Sequence, residues 1–318
     1  MQPKKEIYLA GGCFWGVESY VKNIFGVLET ETGYANGTTE NPTYEEVCFS
    51  YTGHAEAVKV VYDPSVITLR YLLELFFKII DPTTENRQGY DVGEQYRTGI
   101  YYTDTADKAI ISLVTDEIRA AYRDPTVTEN LPLDNYYTAE DYHQRYLDAN
   151  PTGYCHIDYQ TIIDVKQYIV DPYFYEFDRE KAESVLTESE KYIAFSCGTE
   201  PPFQNAYDDY FEKGLYVDKT SGEPLFLSAD KFDAGCGWPA FSKPIAPDVV
   251  RYLEDDSFHM HRVEVRSRVS DIHLGHVFDD GPPEMGGRRF CINSAVLDFI
   301  PLNEMSDAGY AKFTKFIT

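Results

Sequence analysis

The sequence predicts a two-domain α+β protein, with an N-terminal α/β sandwich followed by a mainly antiparallel β domain. The 318 residues are enough for two domains of ordinary size. The first half alternates strand-like and helix-like segments, which is the pattern of helices that cover a sheet. The second half has short apolar runs between clusters of Gly, Pro and Asp, which is an all-β pattern.

The first half opens with a buried strand over 7–10. Apolar residues then keep helical spacing over 13–25, and Gly26 follows as a stop signal. The later predicted elements are, in chain order, a strand over 55–62, a helix over 69–80, a strand over 99–102, and helices over 104–122 and 139–149. Asn150 and Pro151 end the last helix.

From about Leu186 the chain changes character, and convincing helices become few. Strand-like runs occupy 215–218, 223–227, 261–269 and 294–300. The stretch 162–182 carries no chemical motif and is predicted to be a connector. We therefore predict domains over 1–160 and 186–318, joined by a connector over 161–185 whose aromatic residues favour packing against a domain.

Composition excludes several classes of protein. A net charge of -25 disfavours nucleic acids and anionic membranes, because both would be repelled. No apolar run approaches the roughly 20 residues of a membrane span. The polar stretch 1–6 does not resemble a signal peptide, so we expect a cytoplasmic protein.

Six cysteines are scattered along the chain, at positions 13, 48, 155, 197, 236 and 291. They form no CxxC pair and are too sparse for a disulfide scaffold. In a reducing compartment such thiols are either inert core residues or redox-active groups, and their neighbours must decide between the two.

The first candidate site surrounds Cys13, which follows two glycines where a strand meets a helix. A helix N-terminus favours an anion, so we expect a stabilised thiolate and a usable nucleophile. The alternative is a buried cysteine in a glycine-rich turn. Phe14 and Trp15 next to it are suited to an apolar pocket for a methyl or thioether group, although such a pair is also common in protein cores.

Four more residues supply hydrogen-bond donors and acceptors for this site: Tyr44, Glu56, Asp91 and Tyr96. A nucleophile that removes an oxygen atom from its substrate as water needs a proton source beside it. Glu56, if buried, would have a raised pKa and could donate that proton.

The motifs GGCFWG, NPTYEEVC, GHAEAV, DVGEQYRTGIYY and NPTGYCHI follow one another over about residues 5–160. This part of the chain closely resembles A-type methionine sulfoxide reductases. We expect its sandwich to be a ferredoxin-like α/β roll.

The resemblance implies that Cys13 is the nucleophile and that Phe14 and Trp15 hold the substrate methyl group. It makes Glu56 the acid and Cys155 the resolving cysteine on a C-terminal stretch. It further implies that three residues position the sulfoxide oxygen and a bound water: Tyr44, Asp91 and Tyr96. Cys48 falls at a position without a catalytic role in the family, and we expect it in the core.

The second candidate site combines Cys291, which follows Arg288 and Arg289, with a second thiol, Cys236, in the mobile-looking loop GCGWP. Nearby arginines favour a thiolate at Cys291, although a cysteine in a strand is usually a small hydrophobic residue. His273 and His276 can donate protons near neutral pH, or can bind zinc together with two cysteines.

CGTEPPFQN, HLGHVFDDGP and RRFCINSAVLDF lie within about residues 186–300, which closely resemble B-type methionine sulfoxide reductases. The resemblance implies Cys291 as nucleophile, Cys236 as resolving cysteine and Trp238 as the methyl-binding residue. It assigns the oxygen-binding and proton-delivery side to His273, His276, Asp280, Arg289 and Asn293.

One departure from the B-type pattern concerns metal. Many B-type members bind a structural zinc through two CxxC pairs, but this chain has VDKTS at 217–221 and RSRVS at 266–270 instead. A four-cysteine zinc site is therefore impossible, and we expect no zinc and no other cofactor. Cys197 has no role assigned by the resemblance.

These resemblances imply an enzyme that reduces both epimers of free or protein-bound methionine sulfoxide, S at the first site and R at the second. Each nucleophile would become a sulfenic acid, each resolving thiol would form a disulfide with it, and a dithiol such as thioredoxin would restore the thiols. Two rivals stand beside this hypothesis. One is a thiol peroxidase, and the other is a non-catalytic module that recognises oxidised proteins.

Overall fold

The computed structural model describes residues 4–257 and 260–317. The chain forms two compact units, Met1–Lys166 and Gln167–Thr318. Met1–Pro3, part of the polar N-terminal stretch discussed above, lie outside the described residues. Among the described helices, none is long and apolar enough to cross a membrane.

The first unit is built on a curled six-stranded sheet. The strands of this unit are β1 (Lys5–Gly11), β2 (Val27–Ala35), β3 (Ala55–Tyr62), β4 (Arg87–Gln88), β5 (Asp91–Val92), β6 (Thr98–Tyr102), β7 (Glu129–Pro132) and β8 (Tyr136–Thr138). Strands β4 and β5 pair only with each other, as a hairpin outside the large sheet. The order in the large sheet is β7-β6-β1-β3-β2-β8. Only β6 and β7 run parallel among these pairs. The predicted strands 7–10, 55–62 and 99–102 are confirmed as β1, β3 and β6.

The helices of this unit are α1 (Phe14–Val21), α2 (Tyr44–Phe49), α3 (Leu69–Phe77), α4 (Lys108–Ala121), α5 (Tyr146–Ala149) and α6 (Tyr159–Asp164). Helix α1 ends four residues before the predicted end. The N–H groups of Asn23 and Ile24 bond to carbonyls three residues back, which tightens the last turn. Helix α3 ends early in the same way, because Lys78 and Ile79 make equivalent bonds.

The predicted helix over 139–149 is wrong. The segment forms one 3₁₀ turn, Asp141–His143, and then the four-residue α5. Arg145 between them has a left-handed backbone, with φ of 51°, and its N–H donates to Glu18 Oε2 at 2.9 Å. The side chain of Gln144 bonds the backbone of Thr32. These tertiary bonds replace the helical bonds that the periodicity predicted.

The second unit contains two antiparallel sheets. Its strands are β9 (Gly214–Asp218), β10 (Pro224–Leu227), β11 (Lys231–Phe232), β12 (Ala240–Phe241), β13 (Val250–Asp255), β14 (Arg262–Ser267), β15 (His273–Phe278), β16 (Arg289–Ile292) and β17 (Leu297–Pro301). The orders are β10-β9-β17 and β11-β12-β16-β15-β14-β13. Stacked and edge-on aromatic rings fill the core, among them Tyr216, Phe226, Phe241 and Phe290. The mainly antiparallel β prediction is confirmed.

Two helices precede these strands, α7 (Arg179–Val185) and α8 (Glu188–Ser196). The sequence analysis did not predict them. Helix α8 begins with a capping box, in which Thr187 and Glu190 exchange side-chain to backbone bonds. The expected packing of the connector is confirmed within this unit, because Val170 and Ala182 are buried and Arg268 donates to the Val170 carbonyl at 3.1 Å.

Candidate active sites

Cys13 lies where strand β1 turns into helix α1. It is the N-cap residue of the helix and is 6% exposed. Gly12 before it has a φ of +82°, and a Cβ there would lie 2.6 Å from the Cβ of Gln88. The glycine therefore allows the tight turn that delivers the thiol into the protein.

The expected stabilised thiolate at Cys13 is not what the structure shows. Burial raises the pKa of the Cys13 thiol well above its usual value, and the carboxylates of Glu56 and Asp91 raise it further. The backbone N–H groups of Trp15 and Gly16 act in the opposite direction but do not prevail. The thiol is therefore the resting form, because desolvation and two acidic neighbours outweigh the helix terminus.

Glu56 lies on β3 and is buried directly beside this helix terminus. Its Oε2 accepts the N–H of Phe14 at 3.0 Å, and its Oε1 has no hydrogen-bond partner among the described residues. Burial raises the pKa of Glu56 to about 8. The carboxyl group is thus protonated near neutral pH, as the sequence analysis predicted for a buried Glu56.

Tyr44, Asp91 and Tyr96 lie around the same carboxyl group. Burial and the charge of Glu56 raise the pKa of both tyrosines, so both remain neutral hydrogen-bond donors. Asp91 Oδ2 is buried without a hydrogen-bond partner in the described part of the chain, 3.8 Å from His156 Nδ1. Each group therefore has hydrogen-bonding capacity to offer a ligand.

The two aromatic residues after Cys13 belong to a larger aromatic cluster. Trp15 Nε1 donates to His143 Nδ1 at 3.0 Å, and the Trp15 ring stacks on Tyr146 at 3.8 Å. The His143 ring also lies 4.5 Å from that of Tyr44 and 5.0 Å from that of Phe14. The sequence analysis missed His143 and Tyr146, because they lie far along the chain in the segment predicted to be helical.

Cys155 packs against the first turn of α1. A Cβ on Gly16 would lie 3.1 Å from the Cys155 sulfur, so this glycine makes room for it. The next residue, His156, anchors the segment through a bond of 3.1 Å between its Nε2 and the Gly11 carbonyl. Cys48 was expected in the core but is only partly buried, and it lines a surface cleft.

The second site is centred on two sulfur atoms that lie 3.8 Å apart. Cys291 is on the central strand β16, and Cys236 is in the loop between β11 and β12. Gly235 and Gly237 on either side of Cys236 both have positive φ. The structure thus brings together the two thiols that the sequence analysis paired.

The two thiols share one hydrogen bond and therefore titrate together. Their mutual hydrogen bond lowers the pKa of the Cys236 thiol, with Arg289 contributing, and the same hydrogen bond and burial raise the pKa of Cys291. A single negative charge, which was expected on Cys291, is therefore stabilised by the pair of thiols together. Arg289 is fixed by two bonds of 2.8 Å to Asp280.

The two histidines bond to different carboxylates. His273 Nδ1 lies 2.7 Å from Glu264, and His276 Nε2 lies 2.7 Å from Asp255. This arrangement does not support a zinc site built from both imidazoles and two cysteines. Cys197, Glu264 and His273 place ligand atoms within 4.8 Å of one another, but Arg266 also bonds Glu264 at 3.4 Å and opposes a cation there.

A cleft of about 120 Å³ opens beside Cys291 and is lined by Trp238, His276, Phe278 and Asn293, among others. Trp238 is held by a bond of 3.0 Å from its indole N–H to the Glu200 carbonyl. Asn293 accepts the Glu200 N–H and donates to the Leu274 carbonyl. Glu200, in the motif CGTEPP, was not singled out in the sequence analysis.

Hydrogen bonds join the stretches 217–221 and 266–270, which lack the CxxC pairs found in many B-type members. Ser270 donates to the buried carboxylate of Asp218. Arg268 donates through two nitrogens to Glu223 Oε1, at 3.0 and 2.5 Å, and the Val269 N–H donates to the other oxygen. These groups do not fit a thiolate-bound zinc. We call the four side chains, Asp218, Glu223, Arg268 and Ser270, the loop clasp.

Comparisons with known proteins agree with the two units. The family model for peptide methionine sulfoxide reductase matches residues 5–171, and the model for the SelR domain matches residues 186–301. Together they indicate peptide-methionine (S)-S-oxide and (R)-S-oxide reductase activities.

Similar solved structures each cover about half of the chain. Reduced Mxr1 from Saccharomyces cerevisiae is 41% identical over 48% of this chain and 88% of that chain, with a TM-score of 0.46. Methionine sulfoxide reductase A of Corynebacterium diphtheriae is 39% identical over 49% and 79%, with a TM-score of 0.44. Mxr1 in complex with Trx2 is 30% identical over 45% and 84%, with a TM-score of 0.33.

The first of the two matched models covers more than half of the chain. The chain therefore belongs to the peptide methionine sulfoxide reductase family, and its second unit carries a SelR domain.

Proposed function

We propose that the first unit reduces the S epimer of free or protein-bound methionine sulfoxide and the second unit the R epimer. The observation that carries this proposal is that each unit has its own candidate nucleophile with a second thiol, next to an aromatic side chain suited to a methyl group. One enzyme handles each sulfoxide epimer, so two separate sites suit two epimers. Trp15 and Trp238 are the aromatic groups, one in each unit.

At the first site both Cys13 and Glu56 carry protons at rest, and the proposed chemistry uses both. Glu56 donates its proton to the sulfoxide oxygen while the Cys13 sulfur attacks the sulfoxide sulfur. The Glu56 carboxylate then takes up the thiol proton. The products are methionine, a Cys13 sulfenic acid and a protonated Glu56, so no net proton is gained or lost.

Tyr44, Tyr96 and Asp91 would orient the oxygen during this step. Cys155 then attacks the sulfenic acid, releases water and forms a Cys13–Cys155 disulfide.

At the second site we propose Cys291 as the nucleophile and Cys236 as the resolving thiol. The two sulfurs lie 3.8 Å apart and share one proton, and the attacking form is the one in which this proton is on Cys236. Arg289, held by Asp280, stabilises the charge of the pair. His273, His276 and Asn293 would bind the oxygen and deliver a proton, and Cys236 then closes the Cys236–Cys291 disulfide.

We propose thioredoxin as the reductant of both disulfides, since one of the similar structures is a complex of Mxr1 with Trx2. A cytoplasmic location and the boundaries 1–160, 161–185 and 186–318 also remain proposals. So does the ferredoxin-like label, which the neighbouring order β6-β1-β3-β2 and its antiparallel pairing support.

The test is dithiol-dependent reduction of separated S- and R-methionine sulfoxide by the wild type and by the variants Cys13→Ser and Cys291→Ser. Each variant should lose one epimer and keep the other, and Cys48→Ser should keep both. Loss of both epimers in either single variant would contradict the two-site proposal. Turnover of hydrogen peroxide without turnover of sulfoxide would favour a thiol peroxidase instead.

A further inference from the structure

A group of strongly exposed apolar side chains lies beside the first site. Phe49, Tyr51, Tyr90 and Val92 are 78, 92, 93 and 70% exposed, which is unusual for side chains of this size in one small region. We call these four residues the apolar rim. Exposed aromatic groups of this kind contribute most when a ligand covers them.

Three of the rim residues, Phe49, Tyr51 and Val92, line a cleft of about 260 Å³. One wall comes from the end of α2 and the loop that follows it, including Phe49 and Tyr51, and the other from Val92 to Gln95. The Tyr51 backbone is in the left-handed region, with φ of 50°, a conformation that non-glycine residues seldom adopt. That backbone holds the Tyr51 ring in solvent at the mouth of the cleft.

The cleft is lined by residues that adjoin the catalytic groups in space or in sequence. Cys48 lines it, and the Cys48 thiol is hydrogen-bonded to Tyr44, which lies close to the Glu56 carboxyl group. One wall ends at Gln95, immediately before Tyr96, and the other at His54, two residues before Glu56. A chain whose methionine sulfoxide reached Cys13 would therefore place its neighbouring residues, about 3.5 Å apart, along this cleft.

We propose that the apolar rim is a subsite for the residues that flank methionine sulfoxide in an extended polypeptide. This inference rests on the proposed function of the first site and names its preferred substrate. The rim selects apolar flanking side chains, because these cover the exposed rings. Glu94 lines the same cleft, so acidic flanking residues are disfavoured.

The test compares four substrates of the S epimer with dithiothreitol as reductant. Three are pentapeptides with a central methionine sulfoxide flanked by Leu, by Ser or by Glu, and the fourth is the N-acetylated, amidated amino acid. For the wild type, kcat/KM should be about tenfold higher with Leu than with Ser flanks, and lowest with Glu.

The informative variant is Phe49→Ser/Tyr51→Asn, where Asn tolerates the left-handed backbone of position 51. This variant should bring the ratio of kcat/KM for the Leu-flanked to the Ser-flanked peptide close to one, through a rise in KM for the Leu-flanked peptide. Its activity on the blocked amino acid should stay within about twofold of the wild type. The control Tyr122→Ser removes an exposed aromatic ring outside the cleft and should keep the wild-type ratio.

An unchanged Leu-to-Ser ratio in the double variant would overturn the proposal, as would a wild type that turns over Glu-flanked and Leu-flanked peptides equally. If the wild type failed to reduce even the blocked amino acid, the proposed function of the first site would fail and the subsite with it.

Discussion

At the scale of single residues, Glu56 controls the proposed chemistry of the first site. Its pKa is raised by burial from 4.5 to about 8. S-epimer reduction should therefore be constant up to about pH 7 and fall about tenfold per pH unit above about 8, as the acid loses its proton. Glu56→Gln should abolish this fall in activity at high pH and should lower kcat by roughly 10²–10⁴-fold.

The same shift has a consequence for stability. A carboxyl group whose pKa is higher in the folded than in the unfolded chain favours folding while it is protonated in both states. That contribution is complete below about pH 4.5 and is lost as the pH rises through about 8. Chemical unfolding of the wild type and Glu56→Gln from pH 5 to 9 should show the wild type alone losing this contribution.

His143 is the second residue with a specific expected effect. It accepts the Trp15 indole N–H and contacts the rings of Phe14 and Tyr44. His143→Phe leaves the indole N–H unpaired, so the KM for the S epimer should rise about fivefold to tenfold with a smaller change in kcat. His143→Gln, which keeps an acceptor, should restore most of the affinity. Equal loss in both variants would indicate a purely structural role.

At the scale of elements, the Cys236 loop is held at one end and open at the other. The Gly237 carbonyl accepts bonds from Phe203 and Asn205, and a Cβ on Gly237 would lie 2.7 Å from Pro202. A Cβ on Gly235 would meet nothing within 4 Å. Both glycines have positive φ, at 62° and 87°, so they form a matched pair for substitution.

Gly237→Ala adds a steric clash to backbone strain, whereas Gly235→Ala adds strain alone. Formation of the Cys236–Cys291 disulfide after one equivalent of the R epimer should be about tenfold slower in Gly237→Ala than in the wild type. In Gly235→Ala its rate should stay within about twofold of the wild-type rate. Rapid quenching followed by thiol counting measures both rates. Equal rates in the two variants would show that the clash is relieved without moving Cys236.

The sequence predicted the elements that have strong local signals. The strand over 55–62 is confirmed at both ends, where Ala55 pairs with Ala35 and Tyr62 pairs with Lys5. The helix over 139–149 is wrong, because Glu18 accepts the Arg145 N–H and Thr32 bonds the Gln144 side chain from elsewhere in the fold. Helix α8 was missed, because its apolar residues are few and only its capping box marks it.

The chemistry of the candidate sites was predictable only in part. Motifs predicted both thiol pairs, and the structure brings Cys236 and Cys291 together. The pKa direction at Cys13, however, depends on burial and on two acids 43 and 78 positions away in the chain. The contribution of His143 likewise depends on tertiary packing. Such effects need coordinates, because burial and charge proximity are not local properties of sequence.

At the scale of the whole molecule, the loop clasp is expected to maintain the second unit without metal. Glu223 is fully buried and Arg268 is its charged partner. Arg268→Met leaves a buried carboxylate unpaired and should lower the free energy of unfolding by about 3–5 kcal/mol. The double variant Glu223→Gln/Arg268→Met should be less destabilised than the single one.

Thermal unfolding of these proteins with and without a strong chelator completes the experiment. The melting temperature and the R-epimer activity of the wild type should not change on chelation. A chelator-dependent loss of either would contradict the metal-free second unit.

The short distance between the sulfurs of Cys236 and Cys291 has a consequence under oxidative stress. A sulfenic acid on Cys291 would form with the proposed resolving thiol already 3.8 Å away. An intramolecular reaction at this range outpaces a collision with a second oxidant molecule. Overoxidation to the irreversible sulfinic acid would then be rare, so the repair enzyme would outlast the conditions that damage its substrates.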